Sequence, residues 1–310
     1  METITVDSFE NAIHQMFEDS KDTNIGRIRS DYVFRGLSNS SYELKTSLSR
    51  NCGDKISLEE PILRNFTKYA LLEEPELVTS KWRQLILGQH HRLPTRLLDW
   101  TFSPLVALHF AISDIPLDDM EKADCVIWMV NIKEANSKLP KKYRDKLTET
   151  NSCVLTVDMM ENIVKSLEQY DNDMKDGSLV FLEPHSIDSR IINQYSIFSV
   201  IPNGISSKGI EKFFCKLPST KKLIIPKHIK WDIRDMLDQM NLTERIMYPG
   251  LDGLASWLKR HYFVRKGERT EEPRVHRSRK PPLYFRFSGL RASKTGRTKR
   301  PSLRISTSSK

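Results

Sequence analysis

The stretch from Gln89 to Ala111, QHHRLPTRLLDWTFSPLVALHFA, puts polar chemistry directly beside burial. Ahead of Pro104 stand His90, His91, Arg92, Arg96 and Asp99, and behind it Leu105 to Ile112 is apolar except for His109. Such a run predicts a helix buried on nearly every side. Ser103 can cap it through its hydroxyl, and Pro104 suits a first helical position, where no N–H is needed. Arg96, Asp99, Trp100, Thr101 and Ser103 are then expected at the mouth of that helix, where free N–H groups and the positive dipole end favour an anion. The same residues admit a structural reading, with Arg96 and Asp99 as an ion pair, Trp100 as a core aromatic and Thr101 and Ser103 as caps.

Other residues add to this candidate pocket. Arg35, in YVFRGL at 32–37, carries a guanidinium at a strand end that can pair with Asp99 or Asp31. Gln194, in RIINQYSIFSV at 190–200, can satisfy buried backbone. His90 and His91 are adjacent, and on a strand such neighbours point to opposite faces, so no metal site is expected. The four cysteines, Cys52, Cys125, Cys153 and Cys215, lie far apart without C-x-x-C spacing and are expected to be reduced and mostly buried.

Periodicity supplies the elements that must carry these groups. An amphipathic helix is predicted over Ser8–Asp19, with Phe9, Ile13, Met16 and Phe17 at helical spacing. A short strand at Tyr32–Phe34 ends at Arg35-Gly36, and a turn-rich loop follows. Helices are predicted over Ser57–Leu72, with its start either at Ser57 or near Pro61, and over Pro75–Leu87, closed by Gly88 as a left-handed C-cap. ADCVIWMVNI at 123–132 is the clearest strand, apolar enough to be covered on both faces. Lys133–Lys146 reads as a charged loop with a helical turn, Met159–Tyr170 as a helix and DNDMKDG as a turn. Strands at Leu179–Leu182, Tyr195–Ile201 and Lys222–Ile225, a short helix at 187–193, and helices at Ile229–Met240 and Leu251–Tyr262 complete the chain. There is no internal repeat and no glycine-rich phosphate loop.

The 310 residues, 38% of them hydrophobic, suffice for a sizeable core. The charge is uneven. From Arg265 to Lys310 there are 15 Lys or Arg against 3 Glu, a net +12, which leaves −3 on the rest of the formal +9. A disordered basic tail is therefore expected at 265–310, able to touch nucleic acid non-specifically. No apolar run approaches a membrane span and METITVDSFE lacks the regions of a signal peptide, so no membrane contact and a cytoplasmic location are expected.

YVFRGL, GQHHRLPTRLLDWTFSPLVALHFA, RIINQYSIFSV and YPGLDGLASWL, spread over about residues 25 to 260, resemble the FRG domain, a bacterial and phage-associated family named for the Phe-Arg-Gly that stands here at Phe34-Arg35-Gly36. The association implies a part in conflict between phage and bacterium. More distantly, Phe34-Arg35-Gly36 and Trp100-Thr101-Phe102-Ser103 with its following helix are similar to the first two motifs of the arginine, serine, glutamate class of ADP-ribosyltransferases. The third motif departs from that pattern: Arg190, Gln194, Ser196 and Phe198 hold its place without the usual Glu-x-Glu or Gln-x-Glu. The resemblance implies NAD as substrate, with Arg35 orienting its diphosphate and Thr101 or Ser103 donating beside the helix start. Gln194 would meet a ribose hydroxyl, and either Glu183 or Asp99 would supply the charge that steadies an oxocarbenium-like centre.

The expectation is an α+β protein: a small mixed β-sheet core with helices around it, ADP-ribosyltransferase-like. It has an N-terminal helix (1–22), an FRG core (23–204), a C-terminal helical extension (205–264) and the tail (265–310). The expected catalytic residues are Arg35, Gln194 and Glu183, and the binding residues Arg35, Arg96, Asp99, Thr101 and Ser103. The functions to separate are a nucleotide-binding transferase and a non-catalytic module that binds a ligand in the pocket or nucleic acid through the tail.

Overall fold

The apolar run at 125–131 becomes an inner strand of an eight-stranded mixed sheet. Its strands are β1 (Glu2–Thr5), β2 (Tyr32–Leu37), β3 (Leu97–Thr101), β4 (Cys125–Asn131), β5 (Leu155–Thr156), β6 (Val180–Glu183), β7 (Ser196–Val200) and β8 (Lys221–Ile225). They lie in the order β1-β8-β4-β2-β3-β7-β6-β5. The outermost pairs, β1 with β8 and β5 with β6, are parallel, and the pairs between them antiparallel. The computed structural model describes residues 1–186 and 188–265, and Met1–Val264 forms one unit. The expected basic tail lies outside the described residues except for Arg265.

Side-chain alternation sorts the core into three clusters. Val33, Val126, Trp128 and Val130 share one face of the sheet with Leu98, Trp100, Phe181 and Ile197, under the helix Ser207–Cys215 with its Phe213 and Phe214. The opposite face is divided. On β1, β8, β4 and β2, residues such as Phe34, Ile127 and Leu223 pack under the N-terminal helix Phe9–Phe17 and the helices Pro104–Ala111 and Lys230–Gln239. On β3, β7 and β6, Leu97, Phe198 and Leu182 pack under a second helical layer that includes Trp82, Tyr143 and Tyr170. The boundary between these two layers falls at β2 and β3.

The helices that shape this boundary are α1 (Glu59–Ala70), α2 (Lys81–His90), α3 (Pro104–Ala111), α4 (Ser189–Gln194), α5 (Lys230–Gln239), α6 (Glu244–Met247) and α7 (Leu251–His261). α3 starts as its sequence dictates: the Ser103 hydroxyl accepts from the Val106 N–H and Pro104 holds the first position. It then crosses β2 at Gly36. A Cβ there would lie 2.1 Å from the Ala107 carbonyl oxygen and 2.6 Å from the Ala111 nitrogen, so no larger residue fits.

Several expectations are corrected. Pro75–Leu87 is not one helix: a 3-10 turn at Pro75–Thr79 is followed by α2, which Ser80 caps. Gly88 lies inside α2 rather than at its end, where Leu93 packs 2.9 Å from the position a Cβ would take; the left-handed residue after the helix is Arg92, at φ 64°. The charged stretch after 132 is two helices, Ile132–Ser137 and Lys141–Glu149, interrupted at Pro140; Ala135, Tyr143 and Leu147 form a narrow buried stripe that the charges conceal. DNDMKDG is partly helical, since the helix Leu167–Asp173 runs into it. The β1 strand and the helix Ser207–Cys215 escape the pattern altogether, and β1 joins the sheet by pairing in parallel with β8, more than 200 residues further along the chain. Of the free cysteines Cys125 is buried, Cys52 half-buried, and Cys153 and Cys215 exposed, so the thiols are not mostly buried.

Candidate functional site

β2 and β3 touch at one register position, Phe34 opposite Thr101, whereas β2 pairs with β4 from Tyr32–Asn131 through Leu37–Val126. Beyond Phe34 the two strands diverge, and a cleft of about 580 Å³ opens between them. Its walls are Arg35 to Ser38 on one side, Asp99 to Thr101 on the other, and α4, the C-terminal end of α3 and Tyr248 around the rim.

Arg35 spans the gap. Its Nη1 donates to the Asp99 main-chain carbonyl, taking up an acceptor that a continued ladder would have used, and lies 3.7 Å from the Asp99 carboxylate. Its side chain is 13% exposed, and its buried Nε has no partner among the described residues. Burial lowers the guanidinium pKa, the Asp99 charge works against that, and the nearby Arg50 adds to the lowering. A bound anion would relieve both the lost hydration and the repulsion.

The Asp99 carboxylate is 59% exposed and held from behind. Gln89, in the last turn of α2, donates from Nε2 to both oxygens at 3.0 and 2.9 Å, and its own Oε1 accepts from the Thr95 hydroxyl at 2.5 Å. That second bond fixes which end of the amide faces Asp99. Thr101 is buried, donating its hydroxyl to the Gln194 carbonyl at 2.7 Å and accepting from the Ser103 N–H at 3.0 Å. Gln194 directs Nε2 to the Met247 carbonyl at 2.9 Å, which ties α4 to α6.

The structure thus brings Arg35, Asp99, Thr101 and Gln194 together on one cleft. It does not bring Arg96, Ser103 or Glu183 to it. Arg96 points into the second helical layer, with Nε 2.8 Å from Glu59 Oε2, Nη2 on the same carboxylate and Nη1 2.6 Å from Asp171. Burial opposes its charge, but the bonds and charges of those two acids outweigh it and the pKa is raised. Arg96 therefore forms an ion pair with Glu59 rather than with Asp99. Ser103 is occupied as a cap outside the cleft lining, and the end of α3 that borders the cleft is its C-terminal one, at Phe110, Ser113 and Asp114. The expected contribution of the helix N-terminus to anion binding is accordingly absent from the cleft geometry. Glu183 is exposed at the end of β6, two strands from β3.

Three further arginines border the cleft: Arg50, Arg92 and Arg190. Arg50 donates to the Lys45 carbonyl at 2.6 Å, Arg190 to the His90 carbonyl at 3.3 Å with its guanidinium over the Tyr248 ring, and none of the three forms an ion pair among the described residues. Against them stand Asp99 and Asp114. Arg50 carries no pattern of its own in the sequence; Arg190 and Tyr248 stood within RIINQYSIFSV and YPGLDGLASWL without a binding role, and Gln89 and Arg92 were marked only by membership of the dense polar stretch. Among the described residues no group of three or more His, Cys, Asp or Glu is arranged for a metal ion, and no helix is long and apolar enough to cross a membrane.

The mixed sheet carries Phe-Arg-Gly on an inner strand with TRLLDWTFSP beside it. Residues 30–119 match the family model of the FRG domain, and the chain carries that domain over this stretch, which holds β2, β3 and α3. No curated protein and no solved structure matches the chain.

Proposed function

We propose that the cleft binds a phosphorylated, nucleotide-type ligand, with Arg35 as its principal anchor. The observation that carries this reading is a guanidinium, its buried Nε without a partner among the described residues, on the wall of a cleft bordered by three more arginines and two aspartates. Phosphate oxygens match that geometry, since a guanidinium fork donates two parallel bonds to them. The volume suits a nucleotide.

The finer reading is transfer of ADP-ribose from NAD, in an ADP-ribosyltransferase-like arrangement. The C–N bond between ribose C1′ and nicotinamide breaks, nicotinamide leaves with the electron pair, and an acceptor nucleophile bonds to C1′ and gives up its proton. Of the two carboxylates open to this role, Asp99 lines the cleft and Glu183 does not. Asp99 would steady the developing positive charge, Thr101 and Gln194 would hold the wall, and Gln89 would orient Asp99. A second reading, a non-catalytic binding module, is supported by the engagement of Asp99 with both Gln89 and Arg35.

Calorimetry with pyrophosphate and NAD, combined with assay of nicotinamide release, tests both. Arg35→Met should weaken pyrophosphate and NAD by roughly 10- to 100-fold, the worth of a charged hydrogen bond. Asp99→Asn should keep NAD binding and abolish release. NAD bound without release by the wild-type protein would leave the binding module, and no binding of either compound would remove the reading.

A further inference from the structure

The cleft does not end at its rim. A second chamber of about 560 Å³ adjoins it, and the two share Arg92, Asp114, Arg190 and Tyr248. A third cavity of about 280 Å³ also borders Asp114 and Tyr248. Tyr248 is therefore an aromatic residue bordering all three cavities, in the lining of the cleft that holds Arg35.

The backbone that carries the ring is held firmly. The Tyr248 N–H donates to the Glu244 carbonyl at 2.8 Å, closing α6, and α7 packs so tightly on this turn that a Cβ on Gly253 would lie 1.9 Å from the Tyr248 carbonyl oxygen. Gln194 and Asn193 of α4 bond the Met247 and Ile246 carbonyls at 2.9 and 2.8 Å, so the turn is fixed from the cleft side as well. The Arg190 guanidinium lies over the ring, 5.2 Å from its centroid. A phenol on a fixed turn, backed by a guanidinium and bordering open space, is suited to stack a flat heterocycle, because aromatic contact and cation–π attraction act together there.

We infer that Tyr248 is the base-recognition residue of the cleft: the ligand's heterocyclic ring lies against Tyr248 while its phosphates reach Arg35. The ligand class is then a nucleotide rather than a sugar phosphate or inorganic polyphosphate. This rests on the phosphate-binding reading of the same cleft, and the base and phosphate contributions can be measured separately.

The test is calorimetry of the full chain with pyrophosphate and with ADP, on the wild type and on Arg35→Met, Tyr248→Phe and Tyr248→Leu; leucine keeps apolar bulk on the turn and removes the aromatic face. The wild type should prefer ADP to pyrophosphate by about tenfold or more, the order of one base-stacking contact. Tyr248→Phe should keep that preference, and Tyr248→Leu should bind the two compounds alike with unchanged affinity for pyrophosphate. Tyr248→Leu that keeps the preference, or a wild type that binds pyrophosphate through Arg35 without preferring ADP, overturns the assignment and leaves the phosphate site standing. Loss of pyrophosphate binding in Tyr248→Leu also overturns it, since the residue would then be shaping the phosphate site. Failure of the wild type to bind either compound removes both readings.

Discussion

Arg35 and Arg96 stand at the ends of the same question and receive opposite answers. Arg96 is sealed in, with Glu59 and Asp171 filling its donors. Arg35 is nearly as enclosed but has one ordered ion-pair partner at 3.7 Å, a main-chain carbonyl and a buried Nε left over. A buried charge that is fully matched contributes to holding the fold, whereas one left short of partners beside open volume is available to a ligand. A second sealed cluster supports the contrast. Arg260 makes paired bonds to both Asp238 and Glu244, Arg234 lies beside them, and the Glu244 carboxyl is held down to about 2 by its bonds to Arg260 against the effect of burial.

The sharpest way to break this comparison is to take Arg96 away. Arg96→Met leaves the Glu59 carboxylate buried without its counter-charge, and urea unfolding should show a loss of about 3–5 kcal/mol. A variant as stable as the wild type would mean that the sealed pair is not holding the second layer to β3.

The second cluster can be examined through pH. His109, fully buried in α3, must accept at Nδ1 from the Arg234 guanidinium, 2.9 Å away, so its proton sits on Nε2 and a second proton would bring two cations together. Burial and then the Arg234 charge push its pKa down to about 3. The unfolded chain takes up that proton near 6.5, so stability is full above 6.5 and is lost as pH falls towards 3. His109→Gln keeps an acceptor for Arg234 and removes the titration. Its stability should fall less steeply over that window, by about 2–4 kcal/mol in total, in denaturation curves recorded from pH 7 to pH 4 and extrapolated below.

Gly36 lies between the two kinds of region, because the contact of α3 with β2 sets one wall of the cleft. Gly36→Ala should cost about 1–3 kcal/mol in thermal unfolding as the backbones are forced apart. An unchanged melting temperature would show that α3 does not rest on β2 there. The smallest stability effect belongs to the residue proposed to matter most for binding. Arg35→Met should shift unfolding by no more than about 1 kcal/mol, since it removes a poorly paired buried charge and leaves Asp99 exposed and bonded to Gln89. A loss as large as that of Arg96→Met would make Arg35 a structural residue and erase the distinction.

The legible parts of the sequence were those in which local chemistry and burial coincide. Ser103-Pro104 starts α3 as its residue types require, and the apolar run at 123–132 contains β4. Asp99 and Thr101 were marked by residue type and place before Pro104, Arg35 and Gln194 by the resemblance of their motifs, and all four line the cleft. Where charge hid a narrow apolar stripe, as in the helix Lys141–Glu149, or where a strand gained its meaning from a distant partner, as in β1 beside β8, the pattern gave no sign.

Residue types and their order determined which segments could bury themselves, where α3 begins, and that an FRG domain is present. Tertiary structure decided which charges were matched. Arg96 met Glu59 and Asp171 from segments 37 and 75 residues away, while Arg35 met the gap between β2 and β3. It also turned the C-terminal end of α3, rather than its N-terminus, towards the cleft. The reason is that a guanidinium's role depends on which acceptors lie within about 3 Å of it, and partners drawn from distant segments are set by packing, not by spacing along the chain.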